Sequence, residues 1–233
     1  MDTISNNQQI VKPKKIKNKK QVILEEVLPN AVAVAVAADK EKVTNKGTGA
    51  GGSNTNYFGK KFEEKTDNEP RLIESGFTKT IINKKTKFGY YLSKTFEDKT
   101  VTFVSQNGLK EFIHLKYNIE LFRCPDEAYV FEYTDGRKVI KILEKKEQMV
   151  DGSVDTKLLT GPMFKEEYFE ALEGIFEVEY AFCVSSFLQN KIQHVDNKKY
   201  VIFNKLMKKH NIPILFGDDE NYFESLDAYL IAN

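Results

Sequence analysis

Apolar residues are concentrated in two short runs within residues 128–143. The runs 128–133 (AYVFEY) and 138–143 (KVIKIL) are rich in aromatic and β-branched residues, which favours two strands. Between them, Thr134-Asp135-Gly136 is typical of a three-residue hairpin loop with glycine in the left-handed conformation. The sequence therefore predicts a β-hairpin in which Tyr133 pairs with Arg137.

The register of this hairpin decides which charged side chains meet at its open end. Counting back along both strands puts Asp126 opposite Glu144, and the period of two places Lys146 on the same face as Glu144. Lys145 projects to the other face, so we expect its replacement to be nearly silent in catalysis. A two-residue Asp135-Gly136 loop would shift the register and move Asp126 to the other face unless a bulge restored it.

The segments upstream of the hairpin predict one helix and several strands. Residues 57–76 are expected to form a first helix, which Pro70 should start or break. Four apolar runs follow, and we interpret them as strands of an antiparallel meander. These runs are FTKTIIN, FGYYLSKTF, KTVTFVS and EFIHLKYN.

Downstream, polar loops alternate with apolar runs. Residues 148–161 are predicted to be a loop that lies over a substrate, and Thr160-Gly161-Pro162 should open a helix. A buried strand is expected over residues 175–188, a basic amphipathic helix within 197–210 and a last strand at 212–216. A strand-helix-strand unit of this kind implies parallel pairing. The inward residues of the helix after Pro162 and of a final helix are expected to be Phe164, Tyr168, Leu172, Phe223, Leu226, Tyr229 and Leu230.

Together these elements predict an α/β domain over residues 56–233, with a mixed sheet flanked by helices. Residues 1–55 differ, because they contain a lysine cluster, the tract AVAVAVAA and the run GTGAGGSNTN. Such a composition cannot bury a core, so we expect a disordered tail that serves as a solubilising arm, a nuclear address or a nucleic-acid contact. The Ala-Val tract is too short to span a bilayer, and no membrane association is predicted.

Overall composition narrows the functional classes. The chain has 35 basic and 34 acidic residues, which argues against a protein that coats DNA non-specifically. Two cysteines, Cys124 and Cys183, suggest a reducing, intracellular compartment, either cytoplasmic or nuclear. No Walker loop or GxSxG motif occurs, which weakens P-loop nucleotide-binding and serine-hydrolase interpretations.

The charged residues at the open end of the hairpin suggest a binding site for a divalent cation. Two carboxylates on neighbouring strands repel each other unless a cation lies between them, and Mg²⁺ binds through one or two carboxylates while keeping several waters. Lys146 would then orient or deprotonate a bound water. The chain contains five (D/E)xK triplets, beginning at Glu63, Glu97, Glu144, Asp155 and Asp196. Only the triplet at Glu144 ends an apolar strand that is paired to a Pro-Asp start.

At these residues the chain resembles the PD-(D/E)xK nuclease superfamily, the fold of many type II restriction endonucleases. Pro125-Asp126 matches the first element, and Glu144-Lys145-Lys146 matches the second. The resemblance implies a restriction-endonuclease-like core, with Asp126 and Glu144 as ligands of Mg²⁺ or Mn²⁺ and Lys146 as the catalytic lysine. It also implies an acidic residue on the first helix, for which we select Glu63, with Glu64, Glu69 and Glu74 as alternatives.

Other positions could contribute to the same site. Gln148 follows Lys146 by two residues and is a further candidate catalytic residue, although a polar residue that initiates a helix would look the same. DNA is the expected partner, and a homodimer stays open. Candidate phosphate contacts are Lys84, Lys85, Lys87, Lys205, Lys208 and Lys209.

The predicted function is a Mg²⁺-dependent DNA endonuclease, sequence-specific and restriction-like. A repair or recombination nuclease acting on DNA ends or junctions is the alternative within the enzyme class. A non-catalytic interaction protein on the same α/β scaffold is the alternative outside it, with the acidic cluster serving only solubility.

Overall fold

The structure is a computed structural model that describes residues 53–149 and 153–232, without the side chains of residues 53–56 and 155. Almost all of the predicted N-terminal tail thus lies outside the described residues. Within them the chain forms helices and strands in a mixed order. The helices are α1 (Ser53–Lys65), α2 (Glu69–Glu74), α3 (Asn107–Tyr117), α4 (Val154–Leu158), α5 (Gly161–Ala171), α6 (Ser186–Ile192), α7 (Lys198–Lys209) and α8 (Tyr222–Ile231). The strands are β1 (Thr78–Ile81), β2 (Tyr90–Thr95), β3 (Lys99–Val104), β4 (Glu127–Tyr133), β5 (Lys138–Lys146), β6 (Glu177–Val184) and β7 (Ile214–Phe216).

The seven strands form one sheet in which each strand lies beside its neighbour in sequence. From β1 to β5, each strand is antiparallel to its neighbours. Strands β6 and β7 are added in parallel, after crossovers that contain helices α4 to α7. The prediction of a mixed sheet flanked by helices is therefore confirmed.

The hairpin between β4 and β5 has the register predicted from the three-residue loop. The Tyr133 N–H donates a hydrogen bond to the Arg137 carbonyl over 2.9 Å, and Gly136 has a φ of 92°, which favours glycine. Glu127 pairs with Leu143 at the open end of the ladder, so the same register places Asp126 opposite Glu144.

Alternation along β5 divides the core into two layers. Ile140 and Ile142 belong to the larger cluster, which is packed against α3, α5 and α7. Leu143 belongs to a second cluster, where it meets Phe62 of α1 and Leu226 of α8. The sheet is buried on both faces at this strand, which explains why its sequence is apolar on both sides.

Several predicted segments differ from the structure. The run EFIHLKYN is not a strand but the end of α3, because Leu109, Phe112 and Ile113 follow helical spacing and are buried together. The strand expected over residues 175–188 ends at Val184. Ser185 then takes an extended conformation and precedes α6.

The first predicted helix and the loop predicted after the hairpin also differ from the structure. The first helix is divided into α1 and α2, and Pro70 lies in the first turn of α2. The predicted loop over residues 148–161 contains α4, while residues 150–152 lie outside the described part. The predictions of α5, α7, β7 and α8, and of parallel pairing between β6 and β7, are confirmed. No helix among the described residues is long and apolar enough to cross a membrane.

Helix α1 is held against the sheet where β6 and β7 end, and a glycine makes the close approach possible. A Cβ atom at Gly217 would lie 2.6 Å from a ring carbon of Phe62 and 2.7 Å from the Cys183 sulfur. By contrast, a Cβ at Gly59 on the same helix would meet nothing within 4 Å. Tight packing at Gly217 thus fixes the distance between α1 and the sheet.

We expect Gly217→Ala to lower the free energy of unfolding by about 1–3 kcal/mol, because the added methyl group overpacks this junction. Gly59→Ala is the matched control and should raise it by about 0.5–1 kcal/mol through helix propensity. Urea unfolding measured by circular dichroism checks both values. Equal effects of the two substitutions would contradict the close packing of α1.

Candidate active site

Asp126 lies in a bend immediately before β4, at the open end of the hairpin. Its Oδ2 atom accepts a hydrogen bond of 2.7 Å from the backbone N–H of Lys145, which ties the carboxylate to the last residues of β5. The pKa of Asp126 is raised to about 6, first by burial and then by the negative charge of Glu144. The hydrogen bond from Lys145 and the charge of Lys146 oppose this shift.

Glu144 and Lys146 form an ion pair at the end of β5. The Lys146 Nζ atom lies 2.5 Å from Glu144 Oε1, and the two side chains are 25% and 22% exposed. They are two residues apart on one strand and therefore project to the same side. The structure thus brings a carboxylate and an ammonium together beside Asp126, whose pKa responds to both charges.

Glu63 reaches the same region from α1. Burial raises its pKa, and the charge of Asp126 is the next largest cause. Glu63 and Asp126 line one cleft of about 380 Å³. Among the alternatives, Glu64 and Glu69 also line this cleft, whereas Glu74 is exposed on α2 and is not among its lining residues.

The cleft combines acidic and basic groups. Lys60 and Lys87 line it together with the carboxylates, and the charge of Lys87 lowers the pKa of Glu63. Of the lysines selected from the sequence as phosphate contacts, Lys87 is therefore the one that the structure brings to the carboxylate cluster. The other candidate phosphate contacts do not line this cleft. They are Lys84, Lys85, Lys205, Lys208 and Lys209, and all are exposed.

Glu144 borders a second hollow, of about 280 Å³, that has aromatic walls. Asp126 and Glu144 thus share one end of the sheet, while the first lines the cleft beside α1 and the second lines the aromatic cavity. Among the described residues no three His, Cys, Asp or Glu side chains are grouped as a ready metal site. Mg²⁺ commonly uses only one or two carboxylates, so two such groups are a suitable donor set.

Lys145 projects away from Glu144, as predicted, but it is buried and has a structural role that the sequence did not predict. That its replacement is nearly silent in cleavage stays a prediction. The Lys145 Nζ atom lies 2.6 Å from Glu127 Oε1, and the two side chains are only 3% and 2% exposed. The same ammonium donates to the carbonyl of Thr66, 3.0 Å away, just after α1. Lys145 therefore joins β4 and β5 to the end of the helix that carries Glu63.

The buried pair belongs to a polar network that sequence reasoning missed. The hydroxyl of Tyr129 donates to Glu127 over 2.6 Å, and the Asn68 amide donates to the Tyr129 hydroxyl over 3.0 Å. Each buried polar atom in this network has a partner, as buried charges require. The one signal in the sequence was a pair of opposite charges at Glu127 and Lys145, within strands that are mostly apolar on that face.

Gln148 lies beyond the end of β5, where Ser185 fixes its backbone. The Gln148 N–H donates to the Ser185 hydroxyl over 3.2 Å, and that hydroxyl donates to the Gln148 carbonyl over 3.0 Å. The Gln148 side chain is buried. Its catalytic role stays a prediction.

Comparison with known proteins adds no assignment. No family model, curated protein or solved structure matches this chain.

The ion pair between Lys145 and Glu127 predicts a double-mutant pattern. Lys145→Met leaves a buried carboxylate unpaired and should lower the free energy of unfolding by about 3–5 kcal/mol. Adding Glu127→Gln removes that charge and should restore most of the loss. Unfolding in urea gives the three values. A double variant less stable than Lys145→Met would show that charge compensation is not the cause.

The raised pKa of Asp126 predicts how stability depends on pH when divalent cations are removed. A carboxyl whose pKa is raised on folding stabilises the protein below its unfolded pKa of 3.8, and this contribution is lost as the pH rises through about 6. Asp126→Asn cannot ionise, so at pH 7.5 it should be more stable than the wild type by about 1–2 kcal/mol. Thermal unfolding in EDTA between pH 4 and 8 tests this. Parallel stability profiles would contradict the shift.

Proposed function

We propose that the protein is a Mg²⁺-dependent DNA endonuclease of the PD-(D/E)xK type, with a restriction-endonuclease-like core and a sequence-specific mode of cleavage. The observation that carries the proposal is the β4–β5 hairpin. It starts at Pro125-Asp126, ends at Glu144-Lys145-Lys146, and has a register that sets the positions of Asp126 and Glu144 opposite each other across the two chain segments.

The order of elements supports the same proposal. A helix with an acidic residue, α1 with Glu63, packs beside the hairpin, and parallel strands follow after helical crossovers. These features agree with what the resemblance implies for a core around the two motif elements. The proposal therefore does not rest on the short motif alone.

The carboxylates fit a hard divalent cation. Asp126 and Glu144 would hold Mg²⁺, and Glu63 provides further negative charge next to Asp126. Bound there, Mg²⁺ would lower the pKa of a coordinated water and stabilise negative charge on the phosphate. The charge of Glu144 raises the pKa of Asp126 although Lys146 pairs with Glu144, and this remaining repulsion is the physical reason that a cation would be favoured at this strand end.

The residues of the chain itself supply the remaining functions. Lys146 presents an ammonium that Glu144 holds in place, and this group would hydrogen-bond the attacking water or the scissile phosphate. Lys60 and Lys87, at the wall of the cleft, would attract the DNA backbone. Lys145 positions α1 and touches neither water nor substrate in this proposal.

Single-turnover cleavage of DNA in Mg²⁺ tests the role of Lys146. Lys146→Ala should reduce the rate by about 10²–10³, because it removes a charge that matters most in the transition state, while DNA binding in Ca²⁺ is retained. Glu144→Ala should reduce the rate further, since it also disables metal binding.

Lys99→Ala is the matched control for Lys146→Ala. Lys99 ends the Glu97-Asp98-Lys99 triplet, its side chain is 31% exposed, and it pairs with Tyr133 at the far end of the hairpin. Its replacement should leave cleavage unchanged. Full activity without Lys146, or equal losses in both variants, would refute Lys146 as the catalytic lysine.

The pattern of products separates the remaining functions. Discrete fragments from plasmid DNA indicate a sequence-specific enzyme, and a smear indicates an exonuclease or a non-specific nuclease. Absence of any cleavage in Mg²⁺ or Mn²⁺ by a folded protein would favour the non-catalytic interaction protein instead.

A further inference from the structure

The aromatic cavity beside Glu144 is not used by the catalytic proposal. Its inner wall is formed by Tyr168 of α5 and Tyr180 of β6, and Phe164 lies one helical turn before Tyr168. Ring centres are 6.5 Å apart between the two tyrosines and 6.4 Å apart between Phe164 and Tyr180. The volume is about 280 Å³, and the wall combines aromatic rings with polar groups.

Two polar groups in this wall lack a protein partner. Tyr168 and Tyr180 are 3% and 1% exposed, and neither hydroxyl forms a hydrogen bond with a described residue. Neither hydroxyl oxygen is fully enclosed, so both are open to the cavity that these residues line. Tyrosyl hydroxyls are protonated near neutral pH and can therefore donate a hydrogen bond. Hydroxyl groups that reach a cavity without a protein partner can donate to a ligand, so the cavity is suited to a ligand that carries acceptor atoms.

The entrance of the cavity is formed by the segment that leads to Asp126. Phe122 is 76% exposed, although it is a large aromatic residue. The guanidinium carbon of Arg123 lies 4.1 Å from the centre of the Phe164 ring, and Arg123 is held by an ion pair of 2.9 Å with Glu167. An exposed ring and a guanidinium plane are the surfaces on which unstacked bases are commonly held.

We propose that this cavity binds one unstacked nucleobase of the DNA strand that is cleaved. The flat walls and the side chains at the entrance would contact the faces of the base, and the two tyrosyl hydroxyls would donate to acceptor atoms on its edge. The position of the base next to the scissile phosphate rests on the proposed function, because Glu144 lines the cavity and also pairs with Lys146.

This inference narrows the class of substrate. A base inside a continuous duplex is stacked and must first be extruded, whereas a base in a single strand, a mismatch or a flap is already available. The enzyme should therefore prefer DNA with an unpaired base near the bond that it cleaves.

Binding of the base can be tested without catalysis. A single-stranded oligonucleotide that contains one 2-aminopurine is titrated with the full-length protein in EDTA, and the fluorescence reports stacking of that base. The double variant Tyr168→Phe/Tyr180→Phe should weaken binding by about 2- to 10-fold for each hydroxyl lost. Phe122→Ala should weaken it by about 5- to 100-fold, and this exposed residue can be replaced without loss of core packing.

Phe169→Ala provides the matched control, because Phe169 is 43% exposed on the same helix as Phe164 but does not line the cavity. It should bind the probe as the wild type does. If the cavity variants also bind the probe as the wild type does, the hollow holds water only and the inference is overturned. Thermal unfolding of each variant ensures that an unfolded protein is not scored as a weak binder.

Cleavage of the same oligonucleotide in Mg²⁺ separates this inference from the proposed function. Cleavage that is unaffected by the cavity variants, together with unaffected binding, overturns the base site and leaves the nuclease standing. Loss of probe binding in the cavity variants of a protein that never cleaves DNA supports the base site and refutes the nuclease. A preference for an unpaired base that disappears in Phe122→Ala supports both.

Discussion

Pairing between β4 and β5 is the constraint on which the rest of the site depends. With Glu127 opposite Leu143, odd-numbered residues of β5 face α1 and α8, and even-numbered residues face α3 and α5. A slip of one residue would exchange the two sets. The register therefore places Lys145 in the core beneath α1 and leaves Glu144 and Lys146 near the surface at the same strand end.

The charged residues at this strand end form two groups that differ in how well their charges are compensated. Lys145 and Glu127 are fully buried and mutually neutralised, and their hydrogen bonds fix the end of the helix that carries Glu63. Asp126, by contrast, is buried beside two further carboxylates and has a raised pKa. This second group lowers the free energy of unfolding at neutral pH, because folding disfavours the ionised form of Asp126. Such groups are common where a protein binds a cation or a substrate.

The sequence predicted the hairpin, its register and the parallel strands because each depends on local turn chemistry and on periodic burial. It failed for residues 111–118, where a short apolar run fits a strand as well as a helix until Leu109 is included in the pattern. It also missed the buried contacts of Lys145. Alternation tells which side of a strand a residue faces, but not that helix α1 brings carbonyl groups to that side. The separation of Asp126 and Glu144 into two hollows likewise depends on the bend at Asp126 and on helix packing, which no local pattern encodes.

The proposed function requires Asp126 and Glu144 to bind a divalent cation. Its most direct test is titration with Mn²⁺, followed by the loss of the electron paramagnetic resonance signal of the free ion. The wild type and Lys99→Ala should bind Mn²⁺ alike, and Mg²⁺ should displace it, whereas Asp126→Asn and Glu144→Gln should each lose most of the affinity. Equal binding by all four proteins, or no binding by the wild type, would contradict the claim.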